Sequence, residues 1–248
     1  MDLPLYLAMT AQEIASADFL PQRCAYMACH FSLYSAGLSN FPQSLPEGSI
    51  LILNDRIPIQ GHDASLITKQ LSYCVKQLQC CAVLLDFQRP NEAQTEAVTK
   101  QILAEMPCPV CVSHHYARSF DCPVFLPSAP LDSVLSEYIE PWKNRAIWLE
   151  AAPGEQILTL TSDGCTRSVL YPETEASYPF TEPKLHCHYK ISKTAEKIEF
   201  YLQRTKDELR CLLDEAKNLG VVQAVGLYQQ LCSFRQKDDC AKNDTVIN

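Results

Sequence analysis

Short apolar runs, each ending in a knot of polar residues, recur along the chain. They begin near residues 3, 24, 49, 81, 110, 123, 146 and 221. Each is too short for a helix of ordinary length and reads as a strand buried on both faces. Between several of them the apolar spacing turns helical. Leu66, Ile67, Leu71, Val75 and Leu78 mark one helix, with His62 or Asp63 as its cap. A second runs from Asn91 to about Glu105 and is stopped by Pro107, and a third spans Leu131 to Trp142 with Asp132 near its start. The longest reads from Ala195 to Leu219, its stripe formed by Ile198, Tyr201, Leu202, Leu209, Leu212, Leu213 and Ala216, with Gly220 at its end. Strands alternating with helices predict an α/β fold with a parallel sheet, and eight of them predict a (β/α)8 TIM-like barrel. An open doubly wound sheet is the competing layout.

The alternation is irregular. Little more than a helical turn fits between the first two runs, and too few residues separate the strand Val110–Tyr116 from Pro123–Leu126 for an ordinary crossover helix. After the seventh run the pattern becomes β-rich. Ile157–Thr161 and Thr166–Tyr171 flank Ser162-Asp163-Gly164, which is hairpin chemistry, and Lys184–Ile191 reads as a further strand beyond a Pro/Glu/Thr loop. Val221–Tyr228 then closes the barrel. The expected organisation is one barrel over 1–232 that carries a β-rich insertion at 153–192, followed by a polar tail at 233–248.

A length of 248 residues suits a single barrel. With only 7 Gly against 16 Pro, a glycine-rich phosphate loop is not expected. The net charge of -8 has no basic block to offset it, which excludes nucleic acid and anionic membrane surfaces as expected partners. No apolar run reaches the roughly 20 residues that span a bilayer, and the N-terminus lacks the basic region of a secretory signal. A cytoplasmic location follows as the expectation. The 13 cysteines agree with it: Cys29, Cys81, Cys111 and Cys187 lie in apolar runs, where reduced thiols act as small hydrophobes. Cys108–Cys111 is followed by no second pair at zinc-ribbon spacing, and His186-Cys187-His188, which would put both imidazoles on one face, lies in the inserted sheet where solvent exposure is the expectation, so no metal and no cofactor is expected.

Chemistry in a parallel barrel gathers at the carboxyl ends of the strands. Those ends hold Asp55 and Arg56; Asp86 and Gln88; His114, His115 and Tyr116; Glu150; and Tyr228 with Gln229. Asp86, Gln88 and Glu150 are the candidates for catalysis, and Asp55, Arg56, His115, Tyr116, Tyr228 and Gln229 for holding a ligand. Tyr116, Trp148 and Tyr228 offer stacking faces. On an extended strand, His114 and His115 point to opposite faces, so one of them alone would face the mouth. Any one of these residues read singly is also an ordinary polar strand terminus that satisfies loop backbone.

The stretch Cys81-Ala82-Val83-Leu84-Leu85-Asp86-Phe87-Gln88 resembles the fourth-strand signature of the family 18 glycoside hydrolases, the chitinase-like TIM barrels, whose pattern is D-x-x-D-x-D-x-E with an aromatic before the Glu. Cys81 and Leu84 stand where the first two acids belong, Asp86 matches the third, Phe87 the aromatic, and Gln88 replaces the catalytic Glu. The β-rich insertion also resembles the small extra domain that many of these enzymes carry. The resemblance implies a barrel with a sugar-binding mouth and a degenerate catalytic motif, because an amide cannot protonate a glycosidic oxygen. One expectation is a barrel that binds a glycan or another polar small molecule without the usual hydrolysis. The other is a hydrolase of a glycoside or related substrate that uses Asp86 with Glu150 or Asp55. A third is a protein whose mouth is plugged by its own insertion and which works through its surface.

Overall fold

A computed structural model describes residues 2–59, 61–89, 93–170 and 178–232. Its first strands are β1 Leu5–Met9, β2 Cys24–Phe31, β3 Leu38–Ser39, β4 Ile50–Asn54, β5 Ala82–Asp86, β6 Val110–Ser113, β7 Val124–Leu126 and β8 Ile147–Glu150. A second group follows: β9 Gly154–Thr161, β10 Gly164–Leu170, β11 Phe180–Glu182, β12 Cys187–Lys193 and β13 Lys197–Arg204. Then comes β14 Val221–Leu227. The helices are α1 Ala11–Ser16, α2 Ala64–Gln77, α3 Ala93–Glu105, α4 His114–Ala117, α5 Leu135–Ile139, α6 Lys206–Asn218 and α7 Tyr228–Leu231.

Strands β1, β2, β4, β5, β6, β7, β8 and β14 pair in parallel, and β1 pairs with both β14 and β2, which closes an eight-stranded barrel. The expected fold class is therefore the observed one, and the open sheet is excluded. Side chains alternate along each strand. Ala8, Ala25, Ile50, Ile52, Ala82, Leu84, Cys111, Trp148 and Val225 fill the inside of the barrel, while a larger cluster of the opposite parity joins the strands to the helices. Trp148, expected as a stacking face at the mouth, is thus part of the barrel filling and only 5% exposed.

The second group forms a separate antiparallel sheet in the order β10-β9-β13-β12-β11. The hairpin at Ser162-Asp163-Gly164 is present, with Gly164 opposite Thr161. The long helix expected over Ala195–Leu219 is not. Residues 197–204 form strand β13, and only Lys206–Asn218 is helical. Ile198, Phe200 and Leu202 repeat every second residue and lie on the face that meets Leu131, Cys187, Leu158 and Tyr189. This period of two defeats the weaker helical reading. Helix α6 begins instead at a reciprocal capping box between Thr205 and Glu208.

Other boundaries also shift. Strand β6 ends at Ser113, so His114 and His115 open a short helix, and their rings lie side by side with centroids 3.9 Å apart. Opposite-face geometry therefore does not apply to them. β14 ends at Leu227, and Tyr228 starts α7. The expected strand from Lys184 begins with a 3-10 turn, Pro183–Leu185, before β12. The expected helix over Leu131–Trp142 is reduced to α5 and a 3-10 turn at Glu140–Trp142, where Pro141 interrupts it. Asp63 caps α2 by accepting the Ser65 and Leu66 amides. The expected cap Asn91, the residue Tyr171 and the tail 233–248 lie outside the described residues. Among the described residues no helix is long and apolar enough to cross a membrane.

Candidate active site

Interior parity decides which strand-end residues look into the mouth. In β5 the inward positions are Ala82, Leu84 and Asp86, and in β4 they are Ile50, Ile52 and Asn54, with Asn54 paired directly to Asp86. In β8 the inward positions are Trp148 and Glu150. Asn54, Asp86 and Glu150 thus line one cavity of about 870 Å³ at the carboxyl ends of the strands, together with Gln88, Asp55, Arg56 and Gln229. A smaller chamber of about 280 Å³ adjoins it, lined by Asp86, Gln88, His114, Phe125, Pro127 and Glu150.

Burial raises the Asp86 carboxyl above its usual range. The Gln88 hydrogen bond opposes that rise, the Asp55 charge adds to it, and His115 opposes it. Burial likewise raises Glu150, with the Ser128 amide opposing and the Asp86 charge adding to the effect. The two carboxyls therefore repel each other across the chamber. Nearby, burial and then the Glu150 charge push the Tyr138 phenol up to about 12, while its hydroxyl donates to the Pro127 carbonyl.

Gln88 is held from two sides. Its Nε2 donates to Asp86 Oδ1 at 2.5 Å. Its backbone amide donates to both carboxylate oxygens of Asp55, and the Arg89 amide donates to Asp55 Oδ2 at 2.8 Å. Arg89 reaches back, giving Nε to the Asp55 carbonyl and Nη2 to the Arg56 carbonyl. Tyr116 Oη donates to the Arg89 carbonyl and Ser113 Oγ to the Phe87 carbonyl. Asp55 is 5% exposed, and its carboxylate is spent on fixing the turn after β5.

The structure brings Asp86, Gln88 and Glu150 together, with Asp55, Arg56 and Gln229 around the wider opening. It does not bring the rest with them. Tyr116 is fully buried and packs edge-on against Phe87 behind the barrel wall, so it presents no face to a ligand. His115 is exposed and lines neither cavity, although Asp86 feels its charge, whereas His114 lines the smaller chamber. Tyr228 is half-buried on α7 and lines neither cavity.

Sequence reasoning also missed several residues. Asn54 donates Nδ2 to the Met27 and Cys29 carbonyls, where β2 slips its register against β4. Its signal was its parity with Asp86, at the same height of the neighbouring strand. His30 and Asn40 line the cavity from β2 and the turn after β3, and nothing in the local pattern marks them. Arg89 acts through the turn, which only its backbone partners reveal. Gly226 carries no side chain where β14 passes the start of the insertion: a Cβ there would meet the Ala151 carbonyl oxygen at 2.4 Å.

No family model and no curated protein sequence matches the chain. Solved structures do match. The spore cortex-lytic enzyme SleL of Bacillus cereus superposes with a TM-score of 0.54 at 8% identity, over 90% of this chain and 70% of that one. SleL of Bacillus megaterium gives 0.51 at 10% identity, again over 90% and 70%. A glycoside hydrolase family 18 N-acetylglucosaminidase from Paenibacillus barengoltzii gives 0.53 at 8% identity, over 91% of this chain and 94% of that one. At such identities the likeness is one of fold, and the fold is the eight-stranded α/β barrel.

Proposed function

We propose that the mouth of this barrel binds a glycan or another polar small molecule without hydrolysing it by the family 18 route. One observation carries the reading: the side chain in place of the proton donor is an amide whose N–H already donates to Asp86. Gln88 has no proton to give a leaving oxygen, and general acid catalysis typically contributes 10²–10⁴-fold. What remains is a cavity of a size suited to a ligand, walled by apolar strand residues and carrying a few aimed polar groups. The structural neighbours, a cortex-lytic enzyme and an N-acetylglucosaminidase, make amino-sugar polymers the first ligands to try.

Calorimetric titration and thermal shift with N-acetylglucosamine oligomers test this on the native chain, Gln88→Glu and Asp86→Ala. The expected result is binding by the native chain, no release of reducing ends, and loss of binding in Asp86→Ala. Absence of a response to sugars in all three proteins overturns the reading.

A second reading, hydrolysis with Asp86 and Glu150 as the carboxyl pair, is favoured by the upward shift of both groups, since a general acid needs such a carboxyl. Asp55 suits that role less, because backbone amides occupy it. Reducing ends released by the native chain and abolished in Glu150→Gln would establish this reading over the first.

A further inference from the structure

The side-chain oxygens that the small chamber leaves open are acceptors without a protein donor. Asp86 gives Oδ1 to Gln88 Nε2, which leaves Oδ2. Glu150 gives Oε2 to the Ser128 amide, which leaves Oε1. Because Gln88 turns its Nε2 toward Asp86, its Oε1 is the group left to offer. Among the described residues none of these three oxygens accepts a hydrogen bond, and neither carboxylate has a Lys or Arg partner. His114 supplies no charge in compensation: burial first, then His115 and Arg118, hold its imidazole toward the neutral form, and its buried Nδ1 has no partner. Two carboxylates that repel each other in a confined space, with no basic side chain between them, are costly to keep ionised. Such an arrangement is relieved by a cation that arrives with the ligand. Among the described residues no three His, Cys, Asp or Glu side chains are spaced to hold a metal ion, so the donor set points to an organic cation.

We infer that the chamber between Asp86 and Glu150 takes a protonated primary amine, so that the preferred ligand is an amino sugar with a free ammonium group rather than its N-acetylated form. Three N–H donors on one nitrogen match three acceptors from Asp86, Glu150 and Gln88, and two of those bonds join opposite charges. An acetamido group brings one N–H and a carbonyl oxygen, so it offers fewer donors to the three acceptors and sets its oxygen against two carboxylates. The inference rests on the proposed binding site and names what the site selects.

The test compares glucosamine tetramer, N-acetylglucosamine tetramer and cellotetraose by calorimetry, on the native chain and on Glu150→Gln. Circular dichroism confirms that the variant is folded. The expected result is at least about tenfold tighter binding of the glucosamine form, with the preference erased in Glu150→Gln. Equal or tighter binding of the N-acetylated form overturns the inference while leaving the glycan-binding reading standing. If none of the three sugars binds, ethanolamine against ethylene glycol, followed by carbon-13 carboxyl shifts, separates the two ideas. A Glu150 shift with ethanolamine alone keeps the ammonium chamber and discards the glycan, and no shift with either discards the chamber as well.

Discussion

The mouth of the barrel and the junction between the small sheet and helix α6 both bury charged groups, and they treat them in opposite ways. At the junction Arg204, 1% exposed, donates to the carbonyls of Ala129, Leu185 and His186. His186 Nε2 meets Glu215 Oε2 at 2.5 Å, and His188 Nδ1 lies 2.5 Å from Glu208 Oε1 as a charge contact without hydrogen-bond alignment. Glu208 and Glu215 share one face of α6, so the sheet is pinned at two points two turns apart. The buried guanidinium there is thus answered by three protein carbonyls. At the mouth Asp86 and Glu150 face each other, an amide carbonyl and a histidine held toward its neutral form. Burial alone thus does not mark function. Burial with the complementary partner missing is what separates a site from a joint.

Four substitutions probe that contrast. The largest effect belongs to the junction. Arg204→Met removes the donor from three carbonyls, the one at Ala129 fully buried and two partly so, and we expect a loss of about 3 kcal/mol in urea unfolding, because each orphaned group costs roughly 1–3 kcal/mol. A loss under about 1 kcal/mol would mean that the junction is not the satisfied structural joint described above.

Next comes the clamp behind the mouth. Asp55→Asn keeps the shape but turns one of its two acceptor oxygens into a donor, and costs about 1–2 kcal/mol. Hydrogen exchange at the Gln88 and Arg89 amides should accelerate, and unchanged protection there would remove Asp55 from its positioning role.

Glu150→Gln should act in the opposite direction. The folded-state carboxyl lies above its ordinary value of 4.5, so the folded protein holds this proton more tightly than the unfolded chain does. Stability therefore falls as pH rises from about that value through the raised one. Removing the charge should add on the order of 1 kcal/mol at pH 7, or ~2–4 °C in Tm, and the gain should fade as the buffer approaches pH 4. A destabilised variant at pH 7 would show that Glu150 has a compensating partner, and the contrast between the two regions would collapse. The smallest effect is expected at Lys143→Ala, whose pairing with Glu140 is more than half exposed on both sides. It should change stability by less than about 0.5 kcal/mol in the same titration.

Much of this architecture was legible along the chain, because strands buried on both faces leave unmistakable short apolar runs. All eight barrel strands lie where those runs fall, and the hairpin at Ser162-Asp163-Gly164 forms where its turn residues stand. The same local reading failed over residues 197–204, where Tyr201 and Leu202 lent a helical spacing to what is an alternating strand. Periodicity in a short window is ambiguous until the partner strands are in place, and one of them, β9, lies far away in the chain. It failed again at His114, because a strand that ends at Ser113 and not at Tyr116 turns the next side chains in directions that parity does not predict.

The sequence by itself determined the barrel, the position of Asp86 at a strand end and the amide side chain at residue 88. Those are properties of local pattern and residue identity. Only the tertiary structure decided that Asp55 serves the turn, that Tyr116 is sealed behind the wall, and that Glu150 stands against Asp86, neither of them in an ion pair with Lys or Arg among the described residues. Charge compensation depends on which atoms meet across a closed barrel, and strands distant in the chain supply those atoms.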